Sequence, residues 1–316
     1  TKLEGNWAIF GYAPGRGTYR GEAKIADAGN AELRLSGSFV HADGTSGTFA
    51  GDGTLYGGYA LRTRTSNNGF PAHGAFIASA DEIHGEWHLP APDFRTSRSQ
   101  WLRIGDQPRV ARIVPGYLLA GEKATLTVEG VNLPDAKASD VAFAGGAVRV
   151  LSVRRLAPGA LELTVVSRAE KLGTARVSVQ GVDAGVVTLA PRIDHIAVTP
   201  EVGRARMSGG THYPAEGVQF EAITYARSGG GKNATAVALG PVPATFRLAE
   251  QKTRPDDDDM TWLGTIRPDG AYLPTVDYAP NPKRTYTGEN SGLVKVLARY
   301  QRGGRSYDAQ AERGAS

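Results

Sequence analysis

Three residues with metal-ligating side chains, His84, Glu86 and His88, alternate along one predicted strand. Side chains two residues apart in a strand lie on the same face about 7 Å from each other, so two of them could share a metal ion with help from a neighbouring strand. The intervening residues Ile83 and Trp87 are large and apolar, and they must face the core. We therefore interpret the three polar side chains as the solvent face of the strand and assign no metal ligand.

Two other motifs approach known ligand-binding loops without matching their spacing. Four consecutive aspartates run from Asp256 to Asp259, but the run lacks the glycine and the alternating oxygen ligands of a calcium loop. The glycine-rich segment from Ser228 to Lys232 lacks the spacing of a phosphate-binding loop, and no helical pattern follows it. We interpret the aspartates as a solvated acidic loop or a contact with a basic partner, and the glycines as a turn.

The composition excludes several classes of site. The 316 residues include no cysteine, which excludes disulfides, thiolate zinc sites, iron–sulfur clusters and haem attachment through C-x-x-C-H. The 36 Lys and Arg residues are scattered among 32 Asp and Glu residues, without the basic stripe of a nucleic-acid-binding protein. No triad can be paired, and the sequence singles out no catalytic or cofactor-binding residue. No apolar run of about 18 residues predicts a membrane span, and the opening at Thr1, without a signal peptide, indicates an internal or processed start.

Hydrophobic residues alternate with polar ones along almost the whole chain. This period of two predicts antiparallel strands with one buried and one solvated face. Short polar turns at even spacing predict an eight-stranded up-and-down β-barrel over residues 1–105. Small residues in the inward rows, such as Gly21 and Gly85, would let the strands coil tightly. The eight strands are predicted near 6–12, 17–26, 31–41, 45–56, 59–66, 73–79, 82–89 and 99–104.

Two further all-β units follow the barrel. Proline-containing segments at about 103–108 and 189–193 interrupt the alternation, and we expect few contacts to cross them. Short strands with regular turns predict an immunoglobulin-like β-sandwich over residues 106–190 and a second one, with a long loop, over residues 191–316. The strands of the first are predicted near 123–129, 140–144, 147–154, 160–166, 174–180 and 185–189. Those of the second are predicted near 217–226, 234–238, 242–249, 260–266 and 292–300.

Two long irregular segments of the last unit are candidates for contact with another subunit, from Lys252 to Trp262 and from Arg267 to Asn290. A long loop loses conformational entropy when it becomes ordered, so packing must compensate. Packing on a second subunit would do so, and packing on the barrel of the same chain is the alternative. Aromatic residues and arginine are enriched at interface hot spots. The predicted interface residues are therefore Arg254, Trp262, Arg267, Tyr272, Tyr278, Arg284 and Tyr286.

Several short motifs, together with the order of the three predicted domains, resemble those of one known family. Gly5-Asn6-Trp7 opens the barrel, and Trp87-His88-Leu89-Pro90 lies near its end. The other motifs are Ser99-Gln100-Trp101-Leu102-Arg103, Thr261-Trp262-Leu263-Gly264 and Gly292-Leu293-Val294-Lys295-Val296. With a barrel followed by two sandwich domains, the chain resembles the alpha subunit of quinohemoprotein amine dehydrogenase after its haem domain, over essentially its whole length.

The resemblance implies a role, a location and partners. In that family a dihaem cytochrome domain precedes the barrel, and the subunit assembles with a β-propeller subunit and a small subunit that bears cysteine tryptophylquinone. The complex oxidises primary amines in the periplasm and passes electrons to haem c. The chain would be a non-catalytic scaffold portion of that alpha subunit, with no cofactor of its own, and no haem-ligating residue carries over because C-x-x-C-H is absent. We would also expect one more apolar strand beyond Ser316 to close the last sandwich.

Two other functional classes stay open. An up-and-down barrel can hold a small apolar ligand in its mouth, and tandem sandwiches can present a glycan site, so an extracytoplasmic binding module is the alternative. A β-rich hydrolase is a third class. The barrel interior distinguishes the first two, because inward rows filled by Trp and Phe would indicate a packed scaffold and an open mouth would indicate a ligand site.

Overall fold

The computed structural model describes residues 2–206, 215–229, 234–251, 258–275 and 292–311. Almost all of these residues lie in β-strands or in the turns between them, which confirms the all-β prediction. Within these ranges the helices are a 3-10 turn at Ala138–Asp140 and α1 at Asp259–Trp262. Neither has the length or the apolar content that a membrane-crossing helix needs.

Eight antiparallel strands close into a barrel at the start of the chain. Each strand pairs with the next, and the first also pairs with the eighth, where Ile9 lies opposite Trp101. The predicted eight-stranded up-and-down barrel is confirmed. The strands are β1 (Gly5–Ala13), β2 (Gly17–Gly29), β3 (Glu32–His41), β4 (Ser46–Tyr56), β5 (Ala60–Asn67), β6 (Phe70–Ala78), β7 (Glu82–His88) and β8 (Thr96–Arg103).

Glycine at two inward positions lets neighbouring barrel strands approach closely. A Cβ atom on Gly21 would lie 2.2 Å from the carbonyl oxygen of Ser38, and one on Gly85 would lie 2.1 Å from that of Ala75. Any larger residue would push the paired strands apart, so these positions require glycine. They permit the tight coiling that the inward rows of small residues predicted.

Aromatic side chains fill most of the barrel interior. Trp7 and Trp101 are fully buried, and Phe49, Phe76 and Trp87 are no more than 5% exposed. Trp87 and Trp101 stack with their ring centroids 6.2 Å apart, and Phe76 meets Trp87 edge-on at 5.1 Å. Offset and edge-to-face arrangements such as these are the favourable ones for aromatic rings. The filled inward rows are the feature expected of a packed scaffold.

Two four-stranded sheets pack face to face in the second domain. Its strands are β9 (Arg109–Val114), β10 (Tyr117–Leu119), β11 (Lys123–Val131), β12 (Val141–Phe143), β13 (Val148–Ala157), β14 (Ala160–Ser167), β15 (Gly173–Val179) and β16 (Val182–Ala190). One sheet has the order β13-β14-β11-β9 and the other β10-β16-β15-β12. Leu126, Leu163 and Val177 are fully buried between the sheets, which form a β-sandwich.

Three three-stranded sheets form the described part of the third domain. They surround one core, in which Phe220, Val294 and Val296 are fully buried. The strands are β17 (His195–Thr199), β18 (Val218–Gln219), β19 (Glu221–Ser228), β20 (Thr235–Val242), β21 (Thr245–Glu250), β22 (Gly264–Ile266), β23 (Ala271–Pro274), β24 (Val294–Arg302) and β25 (Arg305–Gln310). The strand orders of the three sheets are β17-β19-β20, β18-β23-β22 and β21-β24-β25.

Two expectations for the third domain are wrong. The strand predicted over 260–266 is the helical turn α1 followed by the short strand β22. The stretch predicted as irregular from Arg267 onward makes a tight turn and then forms β23, which pairs with both β22 and β18. Strands of three or four residues contain too few alternations to be recognised in a sequence. Residues 276–291 of that stretch lie outside the described ranges.

Candidate functional site

Charged side chains join the barrel to the second domain. Glu129 of β11 is 4% exposed, and its carboxylate accepts a hydrogen bond from Nε of Arg112 at 2.6 Å. Arg20 of the barrel lies 3.5 Å from the other carboxylate oxygen, and Arg112 also donates to the backbone oxygen of Tyr19 at 3.3 Å. A buried carboxylate needs such partners, because an unpaired one would be strongly destabilising. The cluster therefore fixes the barrel against the second domain.

Apolar side chains cross both predicted domain boundaries. Phe10 and Leu102 of the barrel pack with Val131 of the second domain. Tyr117 and Leu119 of the second domain belong to the core of the third. The expectation that few contacts cross 103–108 and 189–193 therefore stays a prediction, and these apolar contacts are ones that the pattern within a strand does not show.

A network of four alternating charges joins the barrel to the third domain. We call it the junction network, and it consists of Asp93, Arg95, Arg267 and Asp269. Arg267 lies 3.1 Å from both Asp93 and Asp269, and Arg95 lies 2.8 Å from Asp93 and 3.4 Å from Asp269. Networks of partly buried charges stabilise more than isolated surface pairs do. The structure thus places Arg267, a predicted interface residue, on the barrel of its own chain.

The turn that carries Asp269 packs directly on a turn of the barrel. Gly15, in the turn between β1 and β2, has a φ of +73°, and a Cβ atom there would lie 2.1 Å from the Cβ of Asp269. The position therefore requires glycine both for its backbone conformation and for the close approach of the third domain. This contact supports the junction network from a second side.

A second charged contact joins β8 to β19. Arg98 donates to Glu221 at 3.0 Å, and its guanidinium lies 5.4 Å from the centre of the Tyr12 ring. Burial raises the pKa of Glu221, and Arg98 opposes that shift. Burial and the charge of Glu221 raise the pKa of Tyr12 to about 12. We did not predict this cluster, because nothing in the sequence links Arg98 to a glutamate so distant along the chain.

The predicted interface residue Tyr272 lies in the core of the third domain. It is 2% exposed, and its hydroxyl donates to the backbone oxygen of Leu263 at 2.8 Å. Burial, together with the negative charge of Asp259, raises its pKa above the usual tyrosine range. The side chain fills its own domain, which corrects its assignment to the surface.

Trp262 is half-buried at the end of α1, where its Nε1 donates to Asp258 at 3.3 Å. Met260, two residues earlier in α1, is 41% exposed. The surface of α1 therefore stays a candidate for contact with another subunit. The remaining predicted interface residues lie outside the described ranges, and their role at an interface stays a prediction. They are Arg254, Tyr278, Arg284 and Tyr286.

The interpretation of the aspartate run as a solvated loop is wrong for its last member. Asp259 is 3% exposed, and its carboxylate accepts a hydrogen bond from the backbone N–H of Leu293 at 3.0 Å. Asp258 accepts from Trp262, whereas Asp256 and Asp257 lie outside the described ranges. The burial of Asp259 could not be predicted from the sequence, because the preceding aspartates give the whole run the composition of an exposed loop.

The two remaining motifs offer no ligand set in the described residues. His84, Glu86 and His88 are exposed on the outer face of β7, as we interpreted them, and His88 lies 3.7 Å from Glu86. Throughout the described ranges, no group of three His, Asp or Glu side chains could hold a metal ion. Ser228 ends β19, and most of the glycine-rich segment after it lies outside those ranges.

Comparison with solved structures found designed β-barrels. A redesigned barrel, mFAP1 bound to DFHBI, is 16% identical and has a TM-score of 0.30, covering 32% of this chain and 94% of that chain. A de novo designed fluorescence-activating barrel is 18% identical with a TM-score of 0.28, covering 32% of this chain and 93% of that chain. Likenesses at this level carry no functional information.

Family models match the chain in three consecutive blocks. Their descriptions are quinohemoprotein amine dehydrogenase, alpha subunit domain II at residues 1–99, domain III at residues 107–190 and domain IV at residues 196–313. No curated relative matches the chain. The three blocks together span the barrel, the sandwich and the third domain. The chain therefore belongs to the quinohemoprotein amine dehydrogenase alpha subunit family, and it contains domains II, III and IV of that subunit.

Proposed function

We propose that this chain is a non-catalytic scaffold within a periplasmic quinohemoprotein amine dehydrogenase. The observation that carries the proposal is the match of all three domains, in order, to alpha-subunit domains. The charged clusters and shared cores at the junctions support it, because they hold the domains in one arrangement. A scaffold of this kind would position a dihaem cytochrome domain, a β-propeller subunit and a small quinone-bearing subunit relative to one another.

Haem c and cysteine tryptophylquinone belong to other parts of the complex in this proposal. Thioether attachment of haem requires the cysteines of C-x-x-C-H, and the quinone also contains a cysteine sulfur. This chain has no cysteine, so its residues do not fit either group. The oxidation of primary amines and the transfer of electrons to haem would take place on the partners.

We also assign the second domain to the immunoglobulin-like class. Strands β9, β11, β14 and β13 take the positions A, B, E and D of one sheet, and β12, β15 and β16 take C, F and G of the other. The short β10 adds to β16 in parallel. This strand order supports the assignment of the second domain; for the third domain the assignment rests on the sequence pattern, since its described strands form three small sheets.

Native mass spectrometry of material from the source organism tests the scaffold proposal. We expect this chain in one assembly with chains that carry haem and quinone. The purified chain alone should show no Soret band and no amine oxidation. A Soret band that survives acid–acetone extraction of the purified chain, or amine oxidation by that chain alone, would overturn the proposal.

Hydrogen exchange locates the surface that meets a partner. We place this surface at the segment ending in Trp262, because Trp262 and Met260 are accessible there. The amides of 258–262 should gain protection in the assembly, whereas those of 267–275 should be equally protected in the chain and in the assembly. Additional protection only at 267–275 would show that the turn contacts the partner instead.

A further inference from the structure

The mouth of the barrel contains a cavity that the packed interior does not fill. The mouth is the end formed by the turns at 14–16, 42–45 and 68–69 and by the loop at 89–95. The cavity has a volume of about 340 Å³. This volume lies at the lower end of the range of small-molecule sites, roughly 300–1,000 Å³. Trp87 and Phe49 line it, and both rings pack on Trp101 of the deeper aromatic core.

Aromatic rings form the walls of the cavity. Tyr19, Phe39 and His41 all line it, and the His41 ring lies 5.2 Å from the Tyr19 ring and 5.6 Å from the Phe39 ring, centroid to centroid. Their mutual packing restricts the rotamers of all three rings. A planar aromatic guest would therefore meet fixed ring faces and edges, which favour aromatic contacts.

Two buried nitrogen atoms of the lining lack a hydrogen bond within the described structure. His41 is 8% exposed, and its Nδ1 has no hydrogen-bond partner there. Nε of Arg95 is also buried, and it lies 2.8 Å from Asp93 as an ion pair without hydrogen-bond alignment. Arg95 is thus paired by charge, whereas Nδ1 of His41 is a buried polar atom without a partner, which is uncommon in folded proteins. Because Nδ1 of His41 is closed to a water molecule in this arrangement, a guest oxygen would bond to it after the imidazole ring turns about its Cβ–Cγ bond.

The charges at the mouth cancel. Arg16 pairs with Asp43 at 3.8 Å, and the junction network contains two arginines and two aspartates. Burial and the nearby Arg16 lower the pKa of His41, so its ring is neutral at neutral pH. An ion that entered the cavity would lose its hydration without meeting an unpaired opposite charge. The cavity therefore favours a neutral guest.

We propose that the barrel mouth binds a small, neutral aromatic molecule that carries one hydroxyl or carbonyl oxygen. The ring of this molecule lies among Tyr19, Phe39 and Phe49, and its oxygen bonds to Nδ1 of His41. A neutral imidazole nitrogen donates or accepts according to its tautomer, so either kind of oxygen is suitable. The proposal does not depend on the scaffold assignment, because it rests on the cavity alone.

Isothermal titration calorimetry of the full chain with four probes that share a naphthalene ring tests the ligand class. The probes are 2-naphthol, naphthalene, 2-naphthoate and 2-naphthylmethylammonium. The first two are neutral, with and without a hydroxyl group, and the last two carry a negative and a positive charge. We expect 2-naphthol to bind at least about tenfold more tightly than either ion. Absence of 2-naphthol binding at about 1 mM, or equal affinities for the neutral and charged probes, would overturn the proposal.

The variant His41→Phe tests the hydrogen bond, because it keeps an aromatic ring and removes the nitrogen. Affinity for 2-naphthol should fall roughly tenfold, while affinity for naphthalene should not change. The matched control is His84→Phe on the exposed outer face of β7, which should leave both affinities unchanged. Unchanged 2-naphthol affinity in a folded His41→Phe chain contradicts the assigned contact.

Nuclear magnetic resonance of the unmodified chain provides the same test without a substitution. Addition of 2-naphthol should shift the ring nitrogen resonances of His41 and the indole resonance of Trp87, and it should leave those of His84 in place. Shifts confined to residues outside the mouth would show that 2-naphthol binds elsewhere, and the proposal would then be wrong.

Discussion

Among single residues, Tyr272 gives a direct measure of a buried polar contact. Among the described residues its hydroxyl is one of two donors to the backbone oxygen of Leu263, the other being the N–H of Thr275. Tyr272→Phe removes one donor and keeps the ring, so we expect the free energy of unfolding to fall by about 1 kcal/mol. Urea denaturation followed by circular dichroism measures the change. Tyr59→Phe, at a residue that is 59% exposed, is the control and should change stability by less than about 0.5 kcal/mol.

His41 should make the stability of the barrel depend on pH. Burial, Arg16 and Arg95 lower its pKa below the ordinary 6.5, and Asp43 opposes the shift. The unfolded chain then binds more protons than the folded chain, so the free energy of unfolding should decrease as pH falls below about 6.5 towards the folded-state pKa. Urea titrations at several pH values should show a weaker slope for His41→Phe than for His84→Phe. Equal slopes would exclude His41 as the cause.

The buried charged residues show what a sequence does not reveal at this scale. The exposure of His84, Glu86 and His88 could be predicted, because their strand alternates cleanly. The burial of Asp259 and Glu129 could not, because each is satisfied by a residue that only the tertiary fold brings near. The sequence predicted a ligand site in the mouth only as a general possibility for barrels. It could not predict which residues line the cavity, because they come from several strands.

At the scale of elements, the contact between two turns is open to a matched test. Gly15 and Gly29 have similar φ values of +73° and +85°, so alanine strains the backbone comparably at both. A Cβ at Gly15 would overlap Asp269, whereas one at Gly29 would meet nothing within 4 Å. Gly15→Ala should therefore destabilise the chain by about 1–3 kcal/mol more than Gly29→Ala does. Thermal unfolding of the two variants gives the difference, and equal losses would show that the turns do not press together in solution.

The elements differ in how well their sequence predicts them. The barrel strands contain seven or more residues, so their alternation is unmistakable. Strand β23 has four residues, Ala271–Pro274, inside a stretch rich in proline, and α1 has four residues after the aspartate run. Tertiary packing stabilises both elements; in β23, for example, Tyr272 packs into the core of the third domain. The local sequence pattern carries too little information to predict either one.

On the scale of the whole molecule, the shared cores and charged junctions predict cooperative unfolding. Trp7, Trp87 and Trp101 lie in the barrel, and Trp262 lies in the third domain. In the variant Trp262→Phe, tryptophan fluorescence measures unfolding of the barrel alone, while far-ultraviolet circular dichroism measures unfolding of the strands in all three domains. The two probes should give the same urea midpoint, because the domains stabilise one another. Two separate midpoints would show that the junctions are too weak to couple the domains.

Asp93→Ala provides the complementary measurement, since it removes the carboxylate that both arginines of the junction network contact. We expect the fluorescence and circular dichroism midpoints to separate in the background of Trp262→Phe. The control Asp308→Ala removes an exposed ion pair with Arg299 within the third domain and should leave the midpoints coincident. Separation in both variants would show that the junction network has no special role.

The stacked pair of Trp87 and Trp101 also gives the barrel an optical signal of its own. Their rings lie 6.2 Å apart at an interplanar angle of 29°. Two indoles held so close share their electronic excitation, and their fixed relative angle makes the shared transition chiral. The near-ultraviolet dichroism of this pair exists only while β7 and β8 hold the rings in place. A molecule that enters the mouth and contacts Trp87 would change the intensity of this dichroism. The signal of the tryptophan pair therefore shows, without an attached dye, whether the barrel is folded and whether its mouth is occupied.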